Sequence, residues 1–255
     1  MSEDFLDDLA RRLAKLPGVT AVALGGSRAQ DQHQPDADYD LGLYYRGRFD
    51  PQDLRDCGWP GEVSELGGWG GGVFNGGGWL TVDGQRVDVH YRDLDRIDSI
   101  LAAAEQGRFV IEPLMFHLAG IPDYLLLAEL AINRTLIGEL PRPDYPAALR
   151  RSAPPVWWGR AEPIFGYALD GAARKGRTTL ALGLAAQAVT NAAHAVAAAH
   201  GRWVTNEKRL LTIAGLADCD RLITEATADP DTVADVVVRL RDHCAAELPA
   251  DLASR

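Results

Sequence analysis

The chain is predicted to fold as an α+β protein, with an N-terminal mixed sheet flanked by helices and then a C-terminal helical bundle. Three observations lead there. Short apolar or alternating runs closed by glycine turns fill the first ninety or so positions. The rigid stretch Pro141-Arg142-Pro143-Asp144-Tyr145-Pro146 then reads as a linker. Beyond it every stretch reads as helix with short breaks, the pattern of an antiparallel bundle. The domains are accordingly expected at 1–140 and 147–255. At 255 residues and 47% hydrophobic content, the chain can bury the core that either one large or two modest domains need.

The elements are expected as follows. Phe5 to Leu16 is amphipathic, with Phe5, Leu9, Leu13 and Leu16 on one face, and Pro17-Gly18 ends it. Val19 to Leu24 is an apolar strand that stops at Gly25-Gly26-Ser27, and Gln30 to Pro35 follows as a polar loop or a fraying helix end. From Asp38 to Tyr45 the residues alternate, Asp38, Asp40, Gly42 and Tyr44 on one side and Tyr39, Leu41, Leu43 and Tyr45 on the other. Asp50 caps a helix with Pro51 at its first position. Trp79 to Tyr91 is a hairpin about an Asp83-Gly84 turn, with Asp88 and His90 on the polar face of its second strand. Leu94 to Gly107 and Pro122 to Gly138 read as helices, and the bundle helices run over 155–174, 178–200, 206–215, 219–228 and 231–248.

The chemistry concentrates early. Glycines at 25 and 26 let the backbone approach a ligand, their amides are anion donors, Ser27 adds a hydroxyl and Arg28 a positive charge. Same-face positions on a strand lie about 6.6 Å apart, a span from which Asp38 and Asp40 can both reach a pair of metal ions. Like charges on one face of a strand cost stability unless a cation joins them, so the competing reading is a solvated edge strand. Asp88, on a polar face between two valines, adds a third acid. Asp36-Ala37-Asp38 has the same acid spacing and competes for the register.

Gly25-Gly26-Ser27, then Asp38-Tyr39-Asp40-Leu41, then Val87-Asp88-Val89 together resemble the signature of the DNA polymerase beta-like nucleotidyltransferase superfamily, and most closely its small aminoglycoside and lincosamide nucleotidyltransferases. The resemblance covers about the first 95 residues and favours Asp38 and Asp40 over Asp36, because alternating apolar residues follow the second acid. It implies an enzyme that moves a nucleoside monophosphate, AMP by preference, from ATP or another NTP to a hydroxyl of a small molecule such as an aminoglycoside. Pyrophosphate is the other product. It implies two Mg2+ ions on Asp38, Asp40 and Asp88, with Asp88 also taking the hydroxyl's proton. Gly25, Gly26, Ser27 and Arg28 would grip the phosphates. A helical C-terminal domain closing one side of the cleft is also what the resemblance implies. Two alternatives stay open: a protein-AMPylating enzyme like certain antitoxins, against which the second domain speaks, and a nucleotide-binding regulator without turnover, which the intact acid trio disfavours.

Several stretches have two readings each. Gly67 to Gly78 is a flexible surface loop or a flap over the acceptor site with Trp69 or Trp79 as its wall. Gln187, Asn191 and His194 form a polar stripe on an uncharged helix, either an internal network or a cleft lining that would add Asn191 to the nucleotide site. Lys208 and Arg209 are ordinary surface charges or, for Lys208 first, a triphosphate contact. His90 beside Asp88 is structural rather than catalytic.

The remaining composition excludes other classes. A formal charge of −10 argues against nucleic acid and anionic membrane as partners and is compatible with a cationic acceptor. Cys57, Cys219 and Cys244 have neither disulfide-framework nor zinc spacing. The acidic first eight residues lack a signal-peptide layout, and the apolar stretch 178–199 carries Gln187, Asn191 and His194, so a cytoplasmic protein, monomer or homodimer, is expected.

Overall fold

The computed structural model describes residues 2–30 and 37–253. Asp36 and the loop expected up to Pro35, from position 31 onward, lie outside the described residues. In chain order the elements are α1 (Ser2–Leu13), β1 (Val19–Leu24), β2 (Tyr39–Tyr45), α2 (Pro51–Arg55), β3 (Gly61–Val63), β4 (Gly77–Val82), β5 (Gln85–Asp93), α3 (Leu94–Ala104), β6 (Ile111–Glu112), β7 (Ile121–Pro122), α4 (Leu125–Ile132), β8 (Arg134–Ile137), α5 (Ala147–Gly166), α6 (Thr178–Ala199), α7 (Leu210–Ala214), α8 (Asp218–Ile223), α9 (Pro230–Ala246) and α10 (Ala250–Ala253). They group into two compact units, residues 1–102 with 123–144, and residues 103–122 with 145–255.

The first unit is built on a six-stranded sheet in the order β3-β4-β5-β2-β1-β8. Within it β2 and β5 run parallel, and the other pairs are antiparallel. Alternation decides which face is dry. Leu41, Leu43, Val87, Val89, Leu80, Val82, Val22 and Leu24 turn to one side and pack with Leu6, Leu9, Ala10 and Leu13 of α1 and with Leu54 of α2. The partners of these residues, one position along each strand, form the other face. The hairpin turn is as the sequence demands: Asp83 has φ 49° and Gly84 φ 77°, the two positive values that match the right-handed twist of the flanking strands. Asp50 caps α2 by accepting from the Gln52 amide at 3.0 Å, with Pro51 at the first helical position.

Two stretches depart furthest from expectation. The helix expected from 122 to 138 is α4 alone, because Asn133 turns extended (ψ 165°) and Arg134–Ile137 adds an edge strand to β1. Arg142 fixes that turn by donating to the carbonyls of Leu130 at 3.3 Å and Asn133 at 2.5 Å. The first bundle helix begins at Ala147 rather than Pro155, and runs through Pro154, Pro155 and Pro163. Proline inside a helix forfeits a hydrogen bond, yet Leu149, Ala153, Pro154, Trp157, Trp158 and Ala161 are all buried along it, and that packing holds the helix together.

Among the described residues the second unit is helical apart from the two-residue β6–β7 pair, with α5, α6 and α9 as its principal packing helices. Helix α6 is long and apolar enough to cross a membrane by length and composition, but two-thirds of its apolar window is buried within the structure. It is the core helix of this unit.

Candidate active site

The polar face of the first unit's sheet gathers the candidate residues. In the parallel β2–β5 pair, Asp40 stands opposite Asp88, Gly42 opposite His90 and Tyr44 opposite Arg92, so these six point to the same side. Antiparallel pairing puts Trp79 of β4 opposite Asp88 and, beyond it, Glu62 of β3 opposite Trp79. On the other flank the Gly25 amide donates to the Asp40 carbonyl at 2.8 Å. One row therefore runs from the turn after β1 across four strands: Gly25, then Asp40, Asp88, Trp79 and Glu62.

The turn after β1 is shaped around Asp40. Gly26 has φ +59°, a conformation that favours glycine, and a Cβ there would overlap the Asp40 Oδ2 atom. The Asp40 carboxylate thus fills the space a side chain at 26 would occupy, which seats the acid directly against the Gly25-Gly26-Ser27 turn. Arg28, the phosphate contact the resemblance implies, is anchored to the backbone that leads into β2. Its Nε donates to the carbonyls of Ala37 at 3.0 Å and Asp38 at 3.2 Å, and its guanidinium lies 4.1 Å from the Tyr39 ring centroid. It fastens the entry to β2 and so positions both acids.

Asp38 is half of an ion pair that the sequence did not announce. The Arg86 Nε lies 2.7 Å from its Oδ1, off the direction of a hydrogen bond, and that buried oxygen makes none elsewhere among the described residues. The Asp88 carboxyl is held above the ordinary value of 3.8, by burial first and by the Asp38 charge second, with Arg86 opposing. Among the described residues no three His, Cys, Asp or Glu side chains are already gathered closely enough to cage a metal ion. The donor set nonetheless fits a hard divalent cation: carboxylate oxygens only, one of them lacking a hydrogen bond, on a face where two acids repel.

That repulsion has a measurable side. Because Asp88 titrates higher in the fold than in the unfolded chain, its ionisation counts against the fold at neutral pH, and the penalty disappears as pH falls below 3.8. Asp88→Asn should therefore stabilise the metal-free protein at pH 7, on the order of 0.5 kcal/mol as for a like-charge pair opposed on a sheet. Chemical denaturation at pH 7 and at pH 3.5 tests this; a gain equal at both values would refute the electrostatic cause.

The glycine-rich stretch 67–78 is held in place. The Gly67 amide donates to the Asn75 carbonyl at 2.6 Å, the Ser64 and Gly77 backbones are linked by a 2.8 Å bond, and Asn75 Nδ2 reaches the Tyr45 hydroxyl at 3.1 Å. Trp69 stacks on Trp79 with centroids 4.7 Å apart, and the His90 ring meets Trp69 edge-on at 5.6 Å. A Cβ at Gly77 would overlap the Val89 carbonyl and come within 2.6 Å of the Trp69 ring. The glycines are thus required to lay Trp69 over the sheet, and the flexible-loop reading gives way to a packed one. His90 Nδ1 has no hydrogen-bond partner among the described residues, and burial and then Arg92 lower the imidazole to about 4, so it is neutral at pH 7.

The two candidates from the C-terminal half, Asn191 and Lys208, lie in the second unit and are described within it. Asn191 is 1% exposed; its Oδ1 accepts from Arg160 Nε at 3.1 Å and its Nδ2 donates to the Gln187 carbonyl at 2.9 Å. Gln187 in turn donates to the Leu118 carbonyl at 3.1 Å. The stripe therefore forms an internal network in this unit. Lys208 is exposed on a single helical turn, Glu207–Arg209, whose Glu207 accepts from the amides of Leu118 and Ala119 at 2.7 and 2.9 Å.

His194 completes the stripe, stacked on Trp157 at 4.3 Å and 14°. Burial, and then His117, lower it to about 3. The unfolded chain binds a proton near pH 6.5 that the fold refuses, so stability drops as pH falls from 6.5 toward 3. From pH 7 to pH 5 this unit should lose about 2 kcal/mol through His194. His194→Phe keeps the ring stack and should flatten that slope in denaturant titrations at the two pH values. An unchanged slope would rule the histidine out as the cause.

Comparison with known proteins comes at two levels. Residues 6–69 match the model of the nucleotidyltransferase domain family, a span that includes the turn at 25–27, Asp38 and Asp40 and ends before Asp88. No curated protein matches. Among solved structures, the nucleotidyltransferase-like protein from Exiguobacterium sibiricum 255-15 aligns over 97% of this chain and 76% of its own, with 12% identity and a TM-score of 0.43.

Proposed function

We propose that this nucleotidyltransferase moves AMP from ATP onto a hydroxyl of a small, aminoglycoside-type molecule and releases pyrophosphate. The observation that carries the reading is the seat of Asp40: against the Gly26 turn on one side and opposite Asp88 on the other, within and just beyond the segment that matches the family. Amides at a glycine turn donate to phosphate oxygens, and an acid row beside it receives the reacting hydroxyl.

The residues divide the work. The Gly26 amide with the Ser27 hydroxyl would hold the phosphates, Gly25 shapes the turn by donating its own amide to the Asp40 carbonyl, and Arg28, beside the same turn, keeps β2 in register by its bonds to Ala37 and Asp38. Asp88, half-buried and opposite Asp40, takes the proton of the attacking hydroxyl. That oxygen bonds to the α phosphorus as the bond to pyrophosphate breaks. Asp38, Asp40 and Asp88 would hold Mg2+, two ions, whose chemistry is to neutralise charge on the phosphates and on the attacking and leaving oxygens. Positioning and charge complementarity then supply the rate, with no covalent enzyme intermediate.

The test is a screen of the four ribonucleoside triphosphates with Mg2+ against aminoglycosides and lincosamides, scored by product mass. An acceptor heavier by one nucleoside monophosphate, with ATP the best donor, is the expected result. Absence of any such product across the panel would overturn the acceptor assignment.

A further inference from the structure

The cross-sheet row does not stop at the acids. Going from Gly25 through Asp40 and Asp88, the next two positions are Trp79 and Glu62. Neighbouring strands are about 4.8 Å apart, so Trp79 lies one strand and Glu62 two strands beyond the proton-accepting acid. The phosphate-gripping turn is on the opposite flank. Whatever brings a hydroxyl to Asp88 from the side away from the donor phosphates must therefore rest on Trp79.

Trp79 is built to be rested on. Its neighbours Leu80 and Val82 are buried in the core, while Trp79 itself is 51% exposed. An indole that large left half in solvent offers an apolar face to a ligand and a polar N–H at its edge. Trp69 stacks behind it, and Gly77 is free of a Cβ that would push Trp69 away. The ring is thus held rigid, which lowers the entropy cost of stacking a ligand on it. Carboxylates flank it on both sides, Asp88 and the exposed Glu62. An aromatic face between two anions suits a ring that carries positive charge, since the ring quadrupole and the carboxylates attract a cation together.

We propose that Trp79, backed by Trp69 and flanked by Glu62, is the specificity platform for the acceptor, and that it selects a cationic, ring-bearing molecule such as an amino sugar. The inference rests on the nucleotidyl-transfer reading above and adds the residues that choose the acceptor.

The full-length chain labelled with 5-fluorotryptophan tests it by fluorine NMR, with the Trp79 resonance assigned through Trp79→Phe. Kanamycin and neomycin should shift that resonance, and Trp79→Ala should weaken their binding about tenfold, the equivalent of about 1.4 kcal/mol. Glu62→Gln should weaken it less and reduce its salt dependence. Maltose, a ring without charge, and spermidine, a charge without a ring, should each bind more weakly and lose little in Trp79→Ala. An unmoved Trp79 resonance, or spermidine equal to kanamycin, would overturn the proposal. So would a loss of ATP·Mg affinity in Trp79→Ala, which would make the indole a nucleotide contact. Calorimetry of ATP·Mg with the wild-type chain separates the two levels. Without ATP binding the transfer reading itself fails, whereas ATP binding with a silent Trp79 removes the platform alone.

Discussion

Asp40→Ala is expected to abolish nucleotidyl transfer, by about 10³-fold or more, without unfolding the protein. Both halves follow from where the residue sits. Its carboxylate stands against the Gly26 turn and opposite Asp88, so among the described residues it links that turn to the acid row. In the proposed mechanism its loss removes charge complementarity where the leaving and attacking groups would meet, which is worth several kcal/mol in metal-dependent phosphoryl chemistry. Asp40 is half-buried on the face opposite the hydrophobic core, so its loss leaves that core intact. Single-turnover product formation together with thermal unfolding would check both. Activity above a tenth of wild type would sink the assignment, and so would a collapse of the fold, because the residue would then be structural. Asp38→Ala offers a graded comparison, since it removes the acid that the Arg86 Nε meets at 2.7 Å and keeps Asp40 and Asp88 in place.

Much of this site was legible because strands advertise their faces. The alternation from Tyr39 to Tyr45 predicts which residues are dry, and the burial of Tyr39, Leu41 and Leu43 matches it. The Asp83-Gly84 turn fixes the hairpin register and therefore which way Asp88 points. What alternation does not carry is which strands become neighbours. That Asp40 and Asp88 share a row, and that Trp79 and Glu62 extend it, depends on the order β3-β4-β5-β2-β1, in which β2 and β5 pair across an intervening helix and two strands. Arg86 on Asp38 was hidden for the same reason. The edge strand Arg134–Ile137 was missed because its four residues follow directly on α4, and Asn133 supplies the break without a glycine or proline to announce it. At α5 the opposite happened, with prolines that signal a boundary lying inside a helix whose packing overrides them.

The second large effect concerns stability rather than chemistry. Arg92 lies on the site's face of β5, two residues beyond His90, and is 2% exposed. It meets Glu129 of α4 through two parallel bonds, 2.5 Å from Nε to Oε2 and 2.7 Å from the second nitrogen to Oε1. Burial opposes the guanidinium's charge, and Glu129 overcomes that opposition, so Arg92 stays protonated. Removing one partner of such a pair strands a charge out of water. Glu129→Ala should therefore cost about 3–5 kcal/mol, which for a unit of this size lowers the melting temperature by roughly 10 °C or more. The adjacent Tyr44 hydroxyl, which accepts from Asn133 at 3.2 Å, should loosen with it. Replacing both partners, as Arg92→Met with Glu129→Leu, leaves no charge stranded and should recover most of the loss, because well-packed apolar pairs often match a buried ion pair. Transfer activity per folded molecule should survive in the double variant, the reverse of the pattern at Asp40. If the double variant is as unstable as the single one, the pair serves to position α4 by its directed hydrogen bonds, and charge burial is not what sets its cost.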